Sequence, residues 1–161
     1  MSKKQNKKHF LITGITGFVG PHLAKLLLKE GHEVSGLIRG SGGRQMDLLD
    51  VLTPDEISNI NWLYGDLREL ETIKKIFDEN RFDGVFHLAA QSHPPTSFNY
   101  PLNTFRTNIM GSAHLIAAIE ESQKNCDFMF CSTSEVYGDI CKDTGILKED
   151  MPLGYFIIAK K

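Results

Sequence analysis

The sequence predicts an α/β protein built on a doubly wound parallel sheet of about five strands. Three observations predict it. Short apolar runs (HFLIT, EVSGLI, INWLY, GVFHLAA and DFMFCS) recur along the chain, and segments with apolar residues at helical spacing separate them. A glycine-rich turn, TGITGFVG, joins the first run to the first helical segment. Right-handed crossovers would then place helices on both faces of the sheet. Ligands of such sheets bind at the carboxyl ends of the strands, where each polar motif of this chain falls.

Taken in order, HFLIT over residues 9–13 is the first strand. The first helix begins near Phe18, with Leu23, Ala24, Leu26 and Leu27 as its expected buried face and Gly31 as the glycine that ends it. EVSGLI is the second strand, followed by a loop opening with RGSGGR and a weak helix. INWLY is the third strand. In RELETIKKIFDEN, Leu70, Ile73, Ile76 and Phe77 recur at helical spacing and charges fill the opposite face. GVFHLAA is the fourth strand, a long amphipathic helix runs from Pro101 to Gln123, and DFMFCS is the fifth strand. About twenty turn-rich residues then lead to an apolar ending, YFIIAKK. The expected organisation is a basic tail over residues 1–8, a nucleotide-binding domain over 9–153 and an aberrant end over 154–161.

With 161 residues the chain is long enough for one domain with a real core. Its 41% hydrophobic and 24% charged residues are ordinary for a soluble globular protein. A net charge of −2 gives no reason to expect nucleic acid or an anionic membrane as partner. No apolar run approaches the roughly 20 residues that span a bilayer, and the basic start lacks a signal-peptide pattern. Cys126, Cys131 and Cys141 are odd in number and lack CxxC spacing, so they read as thiols in a reducing cytoplasm.

Gly14, Gly17 and Gly20 stand at GxxGxxG spacing between a strand and a helix. Glycine there permits a tight turn and lets backbone N–H groups reach a pyrophosphate at the helix N-terminus. Thr16, Phe18 and Val19 complete this cofactor-binding stretch. An acidic residue at the end of the second strand would bind the ribose hydroxyls of NAD. This chain has Arg39 there, with Ser41 and Arg44 to assist, and a guanidinium suits a 2′-phosphate better than a diol. NADP is therefore expected over NAD. Asp66, in GDL beside Leu67, is placed to accept a hydrogen bond from the adenine amino group and also to cap the next helix.

The set TGITGFVG, GDL, HLAAQSH and CSTSEVYG resembles the extended short-chain dehydrogenase/reductases, and within them the GDP-mannose 4,6-dehydratases, over nearly all of residues 8–153. The resemblance implies a Rossmann-type fold and a reaction that oxidises the sugar at C4, eliminates water across C5 and C6, and returns the hydride to C6. It assigns Glu135 as the base at C5, Thr133 as the hydroxyl holding the C4 oxygen, and Ser134 as neighbour of the leaving C6 hydroxyl. Leu88, Ala89, Ala90 and Ser92 then lie along the cofactor, and Gln91, Ser92 and His93 face the nicotinamide and substrate. Asn108 matches an asparagine that shapes the active-site backbone. His87 reads as a satisfied core histidine; with His93 it lacks a third ligand for a metal, so no metal is expected.

The family also pairs a tyrosine with a lysine four residues on, which puts both on one helical face. Here Tyr155 has Ala159 at that place and Lys160 five residues away, about 140° round the helix. The expectation is a truncated chain without the C-terminal substrate domain, with Tyr155 as a stand-in acid/base, inactive alone. GDP-mannose or a related nucleotide sugar is the expected substrate, in a cytoplasmic protein with the long helix as a homo-oligomer surface. Alternatives are a nucleotide-sugar epimerase, a 4-keto reductase, or a non-catalytic NADP-binding module.

Overall fold

The computed structural model describes residues 6–40, 48–123, 125–137 and 148. Five strands form one parallel sheet in the order β3-β2-β1-β4-β5, with β1 His9–Thr13, β2 Glu33–Ile38, β3 Ile60–Tyr64, β4 Gly84–His87 and β5 Asp127–Phe130. The chain turns outward through β2 and β3, then crosses back to lay β4 on the other side of β1. The order therefore reverses between β1 and β4, and in sheets of this kind ligands bind at the carboxyl ends of the strands beside such a reversal.

Alternate residues of the strands feed two cores. Leu11, Leu37 and Val85 pack on one face with Ile73, Ile76 and Phe77 of α3 (Leu70–Glu79) and Leu115, Ala118 and Ile119 of α6 (Gly111–Ser122). Ile12, Val34 and Ile60 pack on the other face with Ala24 and Leu27 of α1 (Gly20–Lys29) and with Leu48 and Leu52. Because strand side chains alternate in direction, neighbours Leu11 and Ile12 serve opposite cores, and a sheet covered on both sides reads as a continuous apolar run. Residues 1–130 form one compact unit and residues 131–161 a second.

In α1 the buried face is Gly20, Pro21, Ala24 and Leu27, whereas Leu26 is 54% exposed, contrary to the expected stripe. Positions 20, 24 and 27 follow the helical period, and Leu26 lies about 100° away from Leu27. Gly31 does end the helix, at φ 83°. A second short helix, α2 (Pro54–Ser58), starts with a reciprocal capping box: the Thr53 hydroxyl accepts from the Glu56 N–H, and the Thr53 N–H donates to the Glu56 carboxylate. The predicted long helix is segmented. After α4 (Pro94–Asn99), α5 (Pro101–Phe105) passes into a π-helical turn, Arg106–Met110, before α6 begins. The Gly111 N–H reaches back to the Arg106 carbonyl, five residues away.

In the second unit, Ser134–Tyr137 form a 3₁₀ turn and the Val136 N–H donates to the Thr133 carbonyl over 3.2 Å. Thr133 is exposed, and Tyr137 is half-buried. Ser41, Arg44, Cys141 and Tyr155 lie outside the described residues, as does the expected boundary at residue 154.

Candidate functional site

The switch point is shaped by backbone. Gly14 leaves β1 at φ 71°, a left-handed conformation that side chains disfavour. A Cβ there would stand 2.8 Å from the Ala89 nitrogen and 2.9 Å from the Leu88 carbonyl carbon, so the glycine turn and the loop after β4 lie in direct contact. Gly20 is equally constrained, with a hypothetical Cβ at 2.5 Å from the Ile15 Cα. Gly17 donates its N–H to the Gly14 carbonyl over 2.9 Å and closes the turn. Helix α1 then begins at Gly20 with no side-chain hydrogen bond at its cap, Val19. Pro21 has no N–H, and the Leu23 N–H already donates to the Val19 carbonyl. The first turn therefore offers the N–H groups of Gly20 and His22 to an outside acceptor, with the positive end of the helix dipole behind them. Phe18, 90% exposed, and Val19 stand at this entrance, and Thr16 is half-buried beside it. A sterically cleared backbone leading to an uncapped helix N-terminus fits a diphosphate group.

The loop following β4 is pinned to both neighbours. The Leu88 N–H donates to the Thr13 carbonyl and the Ala89 N–H to Thr13 Oγ1, each over 3.2 Å. Asn108, in the π turn, pairs with the Gln91 backbone as a neighbouring strand would. The Gln91 N–H donates to Asn108 Oδ1 over 2.7 Å, and Asn108 Nδ2 donates to the Gln91 carbonyl over 3.0 Å. The Gln91 side chain folds onto its own loop: its Oε1 accepts from the His93 N–H, and its Nε2 donates to the His93 carbonyl and to Ser97 Oγ. His93 Nδ1 contacts Thr96 Oγ1 at 3.0 Å. Ala90, Ser92 and His93 are exposed.

The ends of β2 and β3 carry charge instead. Arg39 is exposed just beyond β2. Beyond β3, Asp66 receives Arg68 in a forked ion pair, with Nε to Oδ1 at 3.0 Å and a terminal guanidinium nitrogen to Oδ2 at 2.6 Å. The Arg68 N–H also donates to Oδ1 over 2.9 Å. Hydrogen bonds from the Arg68 side chain, then its N–H, with a smaller contribution from the charge of Arg39, hold the Asp66 carboxyl below its usual range. Contrary to the expectation from its residue type, Asp66 does not cap the next helix; α3 is capped at Glu69, and Asp66 instead folds the loop onto Arg68. The sequence alone does not single out Arg68, although an aspartate whose carboxylate accepts the backbone N–H two places on is a common turn and an arginine at that place can also reach it with its side chain. Leu67 is buried in the core against Gly111.

A parallel sheet with a glycine turn at its switch point defines a nucleotide-binding α/β protein, and comparison with known proteins makes that more specific. The profile of the GDP-mannose 4,6 dehydratase family matches residues 11–154, and the chain belongs to that family. A GDP-mannose 4,6-dehydratase of Vibrio cholerae serotype O1 is 40% identical over 138 residues, 83% of this chain and 37% of the relative. A UDP-glucose 4-epimerase of Neisseria meningitidis serogroup A is 37% identical over 150 residues, 91% of this chain and 42% of the relative. Among solved structures, the UDP-glucose 4-epimerase of Thermus thermophilus in complex with NAD superposes with a TM-score of 0.74 at 28% identity, covering 91% of this chain and 44% of that one. The chain thus spans less than half the length of the relatives it matches. Among the described residues no helix is long and apolar enough to cross a membrane.

Proposed function

We propose that this chain is the NADP-binding part of a cytoplasmic nucleotide-sugar 4,6-dehydratase that acts on GDP-mannose. The observation that carries the reading is the Gly14 turn fitted against Ala89 at the switch point, within a sequence that matches the dehydratase family over residues 11–154. The turn and the N-terminus of α1 would hold the pyrophosphate. Arg39 would pair with the 2′-phosphate, and Asp66, its carboxylate kept charged by Arg68, would accept from the adenine amino group. NADP supplies hydride acceptance and return when bound.

The chain's own chemistry would come from the residues after β5. Thr133 would hydrogen-bond the C4 oxygen of the sugar. Glu135 would take the C5 proton, which a ketone at C4 acidifies, and Ser134 would hydrogen-bond the departing C6 hydroxyl. Carboxylate, hydroxyl and hydroxyl within three positions suit a water elimination, because base and leaving group must sit on adjacent carbons. Tyr155 is proposed as the proton carrier at C4. Residues 9–153 are proposed as the nucleotide-binding domain, and self-association as its oligomeric tendency.

Isothermal titration with NADP and NAD tests the cofactor reading. Arg39→Asp should weaken NADP by about tenfold or more while leaving NAD nearly unchanged, in line with the loss of a charge-assisted contact. Equal effects on both cofactors would remove the 2′-phosphate assignment. A second reading, a UDP-sugar 4-epimerase, is favoured by the match to the Neisseria meningitidis epimerase over 91% of this chain. Binding of GDP-mannose and UDP-glucose to the NADP-loaded protein distinguishes the two, and a preference for UDP-glucose would support the epimerase.

A further inference from the structure

Thr13, His87 and Ser112 form a hydrogen-bonded chain from the end of β1 to the first turn of α6, and the available donors set the direction of each link. Ser112 Oγ lies 2.6 Å from the Asn108 carbonyl oxygen, which only accepts, so the serine hydrogen is committed there. The 2.9 Å contact between Ser112 Oγ and His87 Nε2 must then be donated by the ring. On the other side, Thr13 Oγ1 accepts from the Ala89 N–H, which leaves its own hydrogen for His87 Nδ1 at 2.6 Å. In its neutral form His87 is therefore protonated at Nε2 and bare at Nδ1.

Its surroundings agree. His87 is 2% exposed, and the rings of Phe128 and Phe130 on β5 lie 5.9 and 5.7 Å from its own. Its hydrogen-bond partners from β1 and α6 are both hydroxyls. Burial alone pushes its pKa down to about 4.

We propose that His87 is a positioning residue for the cofactor cradle: fixed as the Nε2–H tautomer, it couples Thr13, directly before the Gly14 turn, to Ser112, and so sets how the Leu88–Gln91 loop meets that turn. The proposal rests on the cradle reading given above. The relay reaches the loop at both ends. Thr13 Oγ1 holds the Ala89 N–H, the atom against which Gly14 packs, while Ser112 anchors the carbonyl of Asn108, whose amide holds Gln91 at both backbone atoms. An asparagine at position 87 would retain an acceptor in place of Nδ1, a glutamine would retain a donor in place of Nε2, and a phenylalanine would retain only the shape.

Nitrogen-15 NMR of the histidine rings in the cofactor-free protein should show His87 protonated at Nε2 and unchanged from pH 7 to pH 5. A ring protonated at Nδ1, or titrating in that range, overturns the relay whatever the cofactor does. Titration with NADP should show His87→Phe, which loses both links, about tenfold weaker than the unmodified protein, and His87→Asn, which keeps the link to Thr13, within about threefold of it. Thr13→Val should speed exchange of the Ala89 amide hydrogen and weaken NADP similarly, which gives a second measure if His87→Phe does not fold. Unchanged NADP affinity in folded His87→Phe, or unchanged Ala89 exchange in Thr13→Val, refutes the positioning role. Failure of the unmodified protein to bind NADP removes the cradle reading and the role with it, and the tautomer spectrum then decides the relay separately.

Discussion

At the carboxyl ends of β1 and β4 the contacts are between backbones, with Gly14 so close to Ala89 that a methyl group would overlap it. At the ends of β2 and β3 the groups are charged side chains nearer the solvent: Arg39 and Arg68 are exposed and Asp66 is half-buried. The first region has its shape set by sterics and buried hydrogen bonds, and substitution there is felt by the whole fold. The second owes its character to charges in water, which contribute little to stability but much to the choice of ligand. Rigidity belongs to the part of the site that would meet the diphosphate common to both cofactors, and adaptability to the part that would meet the differing phosphate or hydroxyl of the ribose.

The largest effect should come from Gly14→Ala. It forces a side chain into a left-handed conformation and into the Ala89 backbone, for a loss of roughly 4 kcal/mol in urea unfolding. A loss below about 1 kcal/mol would show that the two turns separate easily and would erase the contrast. Next is acid. His87 stays neutral in the folded chain down to about pH 4, whereas in the unfolded chain it takes a proton below about 6.5, so unfolding binds a proton between those values. Stability is fully present above pH 6.5, falls as pH drops from there toward 4, and loses about 3 kcal/mol in all through this group. Unfolding curves of His87→Phe should lack that part of the slope. The smallest effect belongs to the outer region: Arg68→Ala removes an ion pair whose side chains are 42% and 24% exposed, and should cost under about 1 kcal/mol. A larger loss would mean that the Asp66 loop is as structural as the Gly14 turn.

Much of this architecture is legible in the residues alone. Each of the five apolar runs contains a strand. Strands β1, β2 and β4 are covered on both faces and carry little polar alternation, whereas the edge strands β3 and β5 are apolar despite their exposure, and the fourth and fifth runs outlast their strands. The glycine turn is legible through its spacing and its place between strand and helix. Leu26 is not, since three leucines in a row all look buried until the helix is rotated against a sheet. The break of the long helix at residues 106–110 is also hidden, because Arg-Thr-Asn-Ile-Met has ordinary helical residues and the π turn is selected by tertiary contacts, Asn108 with Gln91 among them. The links of His87 are long-range, 74 positions to Thr13 and 25 to Ser112, and no local pattern encodes them. Arg68, by contrast, lies in plain view, and reading Asp66 as a helix cap is what hides it.

The π turn has a consequence for how this stretch tolerates changes in length. A turn closed by a five-residue reach holds one residue more than an ordinary helical turn, so it is a reserve of chain between α5 and α6. Losing Ile109 would let the reserve close to a regular turn with the helices on either side keeping their facing, while the offset that presents Asn108 to Gln91 would go. Losing a residue inside α6 meets no such slack. Everything on one side of the gap would swing by about 100°, and Leu115 and Ala118 could no longer share one core with Ser112 still facing His87. Single-residue deletions should therefore be absorbed at 106–110 at the expense of the loop, and resisted at 111–119 at the expense of the fold.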